Sequence, residues 1–219
     1  MRFLVSGGPT HEYLDDVRYL GNPSTGAMGI AVAEAAVAGG HEATLVLGPT
    51  HLPDPNGVTV VRVTSAVEMH TAMMEACAAA DAIVMTAAVS DYRPRSRAEG
   101  KIKKGAHHMV LELAKNPDIL SDLGRIRGSR VLLGFALEAA PLDEARDHAR
   151  DKLVAKNLDA IVLNRRGSFG GAGMEDVSVL EADGGATELG APDKASLARW
   201  LVAFCEERGA HGAGGARES

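Results

Sequence analysis

A doubly wound, mostly parallel α/β sheet with helices on both faces is the fold this sequence predicts, and three observations predict it. Short apolar, β-branched runs alternate with alanine-rich helical patterns along most of the 219 residues, the order that builds parallel sheets. Several runs, such as Ala82-Ile83-Val84-Met85, are apolar at every position, as a parallel strand covered on both faces requires. The first run, Phe3-Leu4-Val5, stops at Ser6-Gly7-Gly8-Pro9-Thr10, the glycine-rich strand end that opens many nucleotide-binding units.

The elements follow in order. A helix is expected from about Ser24 to Ala38, closed by Gly39-Gly40. Strands are expected at Ala43–Leu47, stopped by Gly48-Pro49, and at Val58–Val63, with a helix over Ala66–Ala80. Asp81–Thr86 is the fourth strand, and Val131–Phe135 and Ala160–Leu163 continue the series. Helical patterns at Pro117–Arg127 and Leu142–Asn157 separate them. Two stretches break the alternation. A basic loop leads into Met109–Leu113, and Val177–Leu180, a Gly184-Gly185 turn and a run through Leu189 read as a β-hairpin. The whole is a Rossmann-like sheet with a small hairpin and flap extension. A last helix, Asp193–Arg208, carries Leu197, Trp200, Leu201 and Phe204 at helical spacing. One domain over residues 1–208 is expected, with Gly209–Ser219, small and polar, as a disordered tail.

Composition narrows the function. Twenty-three basic against 29 acidic residues leave a net charge of −6, which argues against a nucleic-acid or membrane-surface binder. The two cysteines, Cys77 and Cys205, lie in helical patterns without metal-ligand spacing, so neither a disulfide framework nor a zinc site is expected. No apolar run approaches the roughly 20 residues of a membrane span, and the first residues meet glycine too early for a signal peptide. A cytoplasmic protein is expected.

Several segments carry candidate chemistry. The Ser6–Thr10 loop, including Gly8, together with Asn22-Pro23-Ser24-Thr25-Gly26-Ala27-Met28-Gly29, can place free N–H groups and a helix dipole against a phosphate; an ordinary βα connection has the same look. Thr86–Pro94 follows the fourth strand, where ligands of open sheets bind. Small Ala87 and Ala88 leave room for a ring, and Asp91 could take a ribose hydroxyl or, through water, a magnesium ion, or merely start a turn. Lys101, Lys103 and Lys104 gather positive charge in an acidic chain, between Gly100 and Gly105 that would let a flap move; a solvated lysine run is the bland alternative. Asn116 would cap a helix begun by Pro117. Phe135 ends a buried strand and could meet a base, although a core role is its default. Lys152 and Lys156, one helical turn apart, add charge or simply face water. A dinucleotide reductase fits poorly. No G-x-G-x-x-G follows the first strand, the second strand ends in Leu47-Gly48-Pro49 without an acid, and Tyr92 has Ser96 rather than lysine four residues on. A non-catalytic nucleotide-binding module on the same fold stays open.

In this order, Gly7–Thr10, Asp16–Tyr19, Asn22–Gly29, Ala87–Tyr92, Lys101–Lys104, Asn116–Leu120, Gly134–Glu138 and Lys152–Asn164 resemble the phosphopantothenate–cysteine ligase (phosphopantothenoylcysteine synthetase) family over nearly everything before the tail. The resemblance implies a stand-alone ligase, with decarboxylation done by a separate protein and no flavin of its own. It also implies a homodimer that uses the segment after the fourth strand and the later hairpin. Phosphopantothenate, L-cysteine and a nucleoside triphosphate would be its substrates, CTP rather than ATP, with Mg2+ assisting.

The residue roles are likewise what the resemblance implies. Asn22 and Lys101 would be catalytic. Gly8, Ala88, Asp91, Lys101, Lys103, Lys104, Asn116, Phe135, Lys152 and Lys156 would face the nucleotide. Asn22, Ser24, Thr25, Gly26 and Met28 would hold the phosphate and pantothenate. This chain departs from the family at Ala27, where a lysine is frequent, at Pro9 in a loop that commonly reads Gly-Gly-Thr, and at Leu137, where a smaller residue is usual.

Overall fold

The computed structural model describes the chain apart from residues 104, 106–107, 166–175 and 215–219. Its main sheet has eight strands. β1 (Arg2–Gly7) pairs in parallel with β4 (Glu42–Leu47) on one side and β6 (Ala82–Met85) on the other. β5 (Thr59–Arg62) extends the sheet beyond β4, and β9 (Val131–Glu138) and β10 (Ala160–Arg165) extend it beyond β6, all parallel. The parallel strands therefore lie in the order β5-β4-β1-β6-β9-β10, the Rossmann arrangement, with its switch point between β1 and β6. The expected hairpin forms the far edge. β11 (Val177–Glu181) is antiparallel to β10, and β12 (Ala186–Gly190) is antiparallel to β11.

The all-apolar strands divide their side chains between two cores because successive Cβ atoms point to opposite faces. Phe3, Val5, Ala82 and Val84 face α1 (Ala27–Ala38) and α5 (Lys194–Gly214). Leu4, Ile83 and Met85 face α2 (Ala66–Cys77), α3 (Ile119–Ile126) and α4 (Leu142–Ala155). Cys77 and Cys205 are buried, one in each core.

Three element ends differ from expectation. The first helix starts at Ala27 rather than Ser24, because Gly26 sits at φ 78° and cannot continue a right-handed helix. The third helix is capped by Asp118, whose carboxylate accepts from Ser121 N at 3.0 Å. Asn116 is therefore not the cap, since Pro117 holds the chain extended one step longer. The last helix runs on to Gly214, where a tail was expected from Gly209. Lacking a Cβ, Gly209 lets the helix lie against the first residue; a Cβ there would come 2.8 Å from Met1 Cε.

Two small ribbons project from the sheet. β2 (Glu12–Tyr13) pairs with β3 (Tyr19–Leu20), and β7 (Tyr92–Pro94) pairs with β8 (Leu113–Lys115). Val17, Tyr19, Tyr92 and Leu113 on these ribbons are exposed.

Candidate active site

At the carboxyl ends of the parallel strands, over the switch point, lies a cavity of about 450 Å³, a size that suits a small-molecule ligand. Two segments form its floor, zipped together by the backbone. After β1, Gly8 accepts from Ala88 N at 2.9 Å, and Pro9 makes a parallel bridge with Ala88. Thr10 Oγ1 accepts from Ser90 N at 3.0 Å, and Ser6 Oγ from Ala87 N at 3.2 Å. Gly8 thus supports the floor rather than lining the cavity. Its φ of 81° and the approach of Gly48 leave no room for a side chain.

One wall is the loop Asn22-Pro23-Ser24-Thr25-Gly26 and the first residues of α1. Ser24 Oγ and Thr25 Oγ1 bend this loop, accepting from Gly26 N at 3.3 Å and Ala27 N at 3.4 Å. α1 itself has no side-chain cap and no acid in its first turn. Beyond the Ala27 N–H, which Thr25 Oγ1 already holds, its leading N–H groups and positive dipole end are therefore available to an anion. Asn22 Nδ2 donates to Val89 O at 3.0 Å, which fixes the side chain across the switch point. The amide has a second N–H to give.

The opposite wall comes from Asp91, from Phe135, Ala136 and Leu137 on β9, from Lys152 on α4, and from Asn164 at the end of β10. Phe135 is only half-buried, so its ring is accessible to a flat ligand. Leu137 is exposed at the rim. Lys152 Nζ lies 2.5 Å from Glu138 Oε1. Lys194, the first residue of α5, completes the lining.

Asn22, Ser24, Thr25, Gly26, Met28, Ala88, Asp91, Phe135 and Lys152 are thus brought to one cavity. The remaining candidates lie elsewhere. Asn116 is buried behind the floor, donating from Nδ2 to Ser90 O at 2.8 Å and accepting from Arg93 Nη1 at 3.0 Å. Lys156 Nζ pairs with Asp118 at 2.9 Å. That contact and others outweigh burial, which by itself would raise the Asp118 carboxyl, and hold it below its usual range.

Lys101 and Lys103 are exposed and do not line the cavity. Their segment is strapped to the β2–β3 ribbon. Gly100 N donates to Asp16 Oδ2 at 3.1 Å, Ile102 N to Asp15 Oδ2 at 3.0 Å, and Arg18 Nη2 to Ile102 O at 2.7 Å. Lys104 lies outside the described residues. Asp91 carries an exposed carboxylate at the cavity, a hard oxygen donor that could hold a hydrated magnesium ion.

Sequence reasoning singled out neither Asn164 nor Lys194. Asn164 could have been found as the polar residue ending an apolar strand run at the ligand-binding edge. Lys194 carries a subtler signal, a cation in a helix's first turn, against the dipole.

A Rossmann sheet with an open helix N-terminus, an anchored amide and two lysines lining one cavity at its switch point defines an α/β protein whose site has the charge to receive an anionic small molecule. Residues 1–207 match the model of the DNA/pantothenate metabolism flavoprotein C-terminal domain family, and the chain belongs to that family. It is 45% identical over 166 residues to the coenzyme A biosynthesis bifunctional protein CoaBC of Vibrio cholerae, covering 74% of this chain and 41% of that protein. To the CoaBC of Bacillus subtilis it is 40% identical over 190 residues, covering 85% and 46%. The chain thus spans less than half the length of these relatives. The crystal structure of a CoaBC C-terminal domain superposes with a TM-score of 0.79 at 37% identity, covering 94% of each chain.

Proposed function

We propose that the chain couples 4'-phosphopantothenate to L-cysteine through an acyl-nucleotidyl intermediate, within coenzyme A biosynthesis. The observation that carries this is the cavity at the switch point, where the fixed Asn22 amide, the open end of α1 and Lys152 converge. The family match over residues 1–207 supports it.

In the first stage a carboxylate oxygen attacks the α-phosphorus of the nucleotide and pyrophosphate leaves. In the second, the cysteine amine attacks the acyl carbon, loses a proton, and expels the nucleoside monophosphate. Asn22 uses its second N–H to steady the carbonyl oxygen as it becomes negative. The α1 terminus with Ser24, Thr25, Gly26 and Met28 seats the pantothenate phosphate. Phe135 and Ala88 border the base, and Lys152 draws the nucleotide phosphates. Magnesium, held at Asp91, would neutralise charge on those phosphates. The chemistry is positioning and electrostatics.

Lys101 belongs to this reading as a residue delivered to the cavity of a second copy. The exposed Val17, Tyr19, Tyr92 and Leu113 on the two ribbons offer an apolar face for a homodimer, next to the strap that bears Lys101. CTP is the proposed nucleotide, ahead of ATP. Decarboxylation of the product falls to a different catalytic unit, and flavin has no part in the ligation. Among the described residues no helix is long and apolar enough to cross a membrane, and a cytoplasmic location is proposed.

Pyrophosphate release tests the reading. Release from CTP should depend strictly on phosphopantothenate and be slower with ATP. Release without it, or with any carboxylate offered, would overturn the assignment.

A further inference from the structure

In the proposed ligation Asn22 gives its second N–H to the acyl oxygen, yet the residue is exposed and sits on a loop. Among the described residues, the hydrogen-bond partner of its side chain is Val89 O, 3.0 Å from Nδ2. The direction of the second N–H is therefore decided by where that carbonyl points. The Val89 C=O belongs to the same rigid plane as the Ser90 N–H, and in a trans peptide the two point in opposite directions. Whatever holds the Ser90 N–H on one side aims the Val89 oxygen on the other.

The holder is Thr10. Its Oγ1 accepts from Ser90 N at 3.0 Å, and the residue is fully buried. The next planes are gripped separately. Ser90 O accepts from Asn116 Nδ2 at 2.8 Å, and Asp91 O accepts from Asn116 N at 2.8 Å. Loss of the Thr10 hydroxyl would thus leave the floor in place and free one peptide. The Thr10 backbone also meets the other side of the contact. Gly21, the residue before Asn22, lies so close that a Cβ on it would come 2.8 Å from Thr10 O. Thr10 therefore touches both the peptide that accepts from Asn22 and the chain that carries Asn22, without lining the cavity itself.

We infer that Thr10 is the positioning residue for Asn22. Through the Val89–Ser90 peptide it sets the direction of the Asn22 amide, and so aims the free N–H at the oxygen that becomes negative. A donor already in place when the charge develops needs no reorganisation at that moment, which is what a buried hydroxyl behind an exposed amide supplies. The effect on the reaction rests on the ligase reading, but the run of contacts from Thr10 through Ser90 and Val89 to Asn22 does not.

The test compares wild type with Thr10→Val, which keeps the shape and removes the acceptor, and with Thr10→Ser, which keeps the hydroxyl. Misaiming a group that acts only in the transition state lowers turnover without weakening ground-state binding. Thr10→Val should lower kcat by about 10- to 100-fold, with KM for CTP close to wild type and the acyl-nucleotidyl anhydride accumulating as in Asn22→Asp. Thr10→Ser should recover most of the loss. Because both changes remove the same interaction, Thr10→Val added to Asn22→Asp should slow turnover no further. Losses that multiply, a loss confined to KM for CTP, or a lower melting temperature with turnover unchanged overturns the inference. Should Thr10→Val fail to fold, Thr10→Cys, whose sulfur is a weak acceptor, carries the same comparison. If wild type does not ligate, the ligase reading fails separately, and NMR then decides the contacts. The Asn22 side-chain amide signal, identified by its absence from Asn22→Asp, should shift in Thr10→Val and return in Thr10→Ser. A signal that Thr10→Val leaves unmoved overturns the inference.

Discussion

Gly29→Ala tests how the site is held over the sheet. Gly29 lies in the first turn of α1. A Cβ there would come 2.7 Å from Gly7 Cα, 3.0 Å from Ser6 O and 3.0 Å from Thr86 Oγ1. Gly7 and Ser6 contribute backbone atoms of β1, so they cannot step aside without moving a central strand. Overpacking of this kind costs about 1–3 kcal/mol, and rigid neighbours place this site at the upper end. The Thr86 hydroxyl, which donates to Ser6 O at 2.7 Å, would be displaced as well, costing about 1 kcal/mol. Alanine's better helix propensity returns about 0.5–1 kcal/mol. The net is about 3–3.5 kcal/mol, or about 6–14 °C in melting temperature at roughly 2–4 °C per kcal/mol for a domain of this size. Calorimetry would measure it. Because the helix can relieve the clash only by lifting off β1, the same variant should raise KM for phosphopantothenate. A melting temperature within about 1 °C of wild type, with unchanged kinetics, would refute the claim that close α1–β1 contact positions the phosphate end.

Three further outcomes are expected. Asn22→Asp should slow turnover and let the acyl-nucleotidyl anhydride accumulate, because a carboxylate cannot donate to the developing oxyanion; quenched-flow mass spectrometry would detect it, and an unchanged steady-state rate would reject the role. Mixing subunits of Asn22→Asp with Lys101→Gln should restore activity to about a quarter of wild type if each cavity takes its lysine from the other copy of a symmetric dimer, and nothing if it does not. Burial pushes the Asp15 carboxyl up, but N–H donors from Val17, Arg18 and Ile102, with Arg18 alongside, more than reverse this and hold it below its ordinary 3.8. A depressed folded value means stabilisation that is present above about pH 3.8 and lost as pH falls through the lower folded value. Protection of the Ile102 amide, its exchange rate relative to the intrinsic rate at each pH, should therefore be full above about pH 3.8 and fall away below it, and Asp15→Asn should lower that protection throughout.

Some of this was open to sequence reasoning, and some depended on contacts that sequence cannot show. The parallel sheet was legible because runs such as Ile83-Val84-Met85 must be covered on both faces. The hairpin at Gly184-Gly185 was legible from its turn residues. The β2–β3 ribbon was not, since Glu12–Tyr13 and Tyr19–Leu20 are too short to show a period. Asn116 looked like a helix cap because caps and backbone-bridging amides share residue types; only the fold shows it holding Ser90 and Arg93. The loop Asn22–Gly26 could be singled out as a cavity wall because glycines and hydroxyls cluster within one short segment. The position of Lys101 could not, because Asp15, Asp16 and Arg18, far back in the chain, decide it. Lys194 joins the cavity only because the edge hairpin reverses the chain twice.

Oxygen tracing addresses the chemistry itself most directly. Phosphopantothenate labelled with 18O in its carboxylate should pass one labelled oxygen to the nucleoside monophosphate, because that oxygen becomes the bridge of the mixed anhydride and leaves with phosphorus when the amine attacks carbon. Label found in inorganic phosphate, or a nucleoside monophosphate free of label after amide formation, would contradict an acyl-nucleotidyl route.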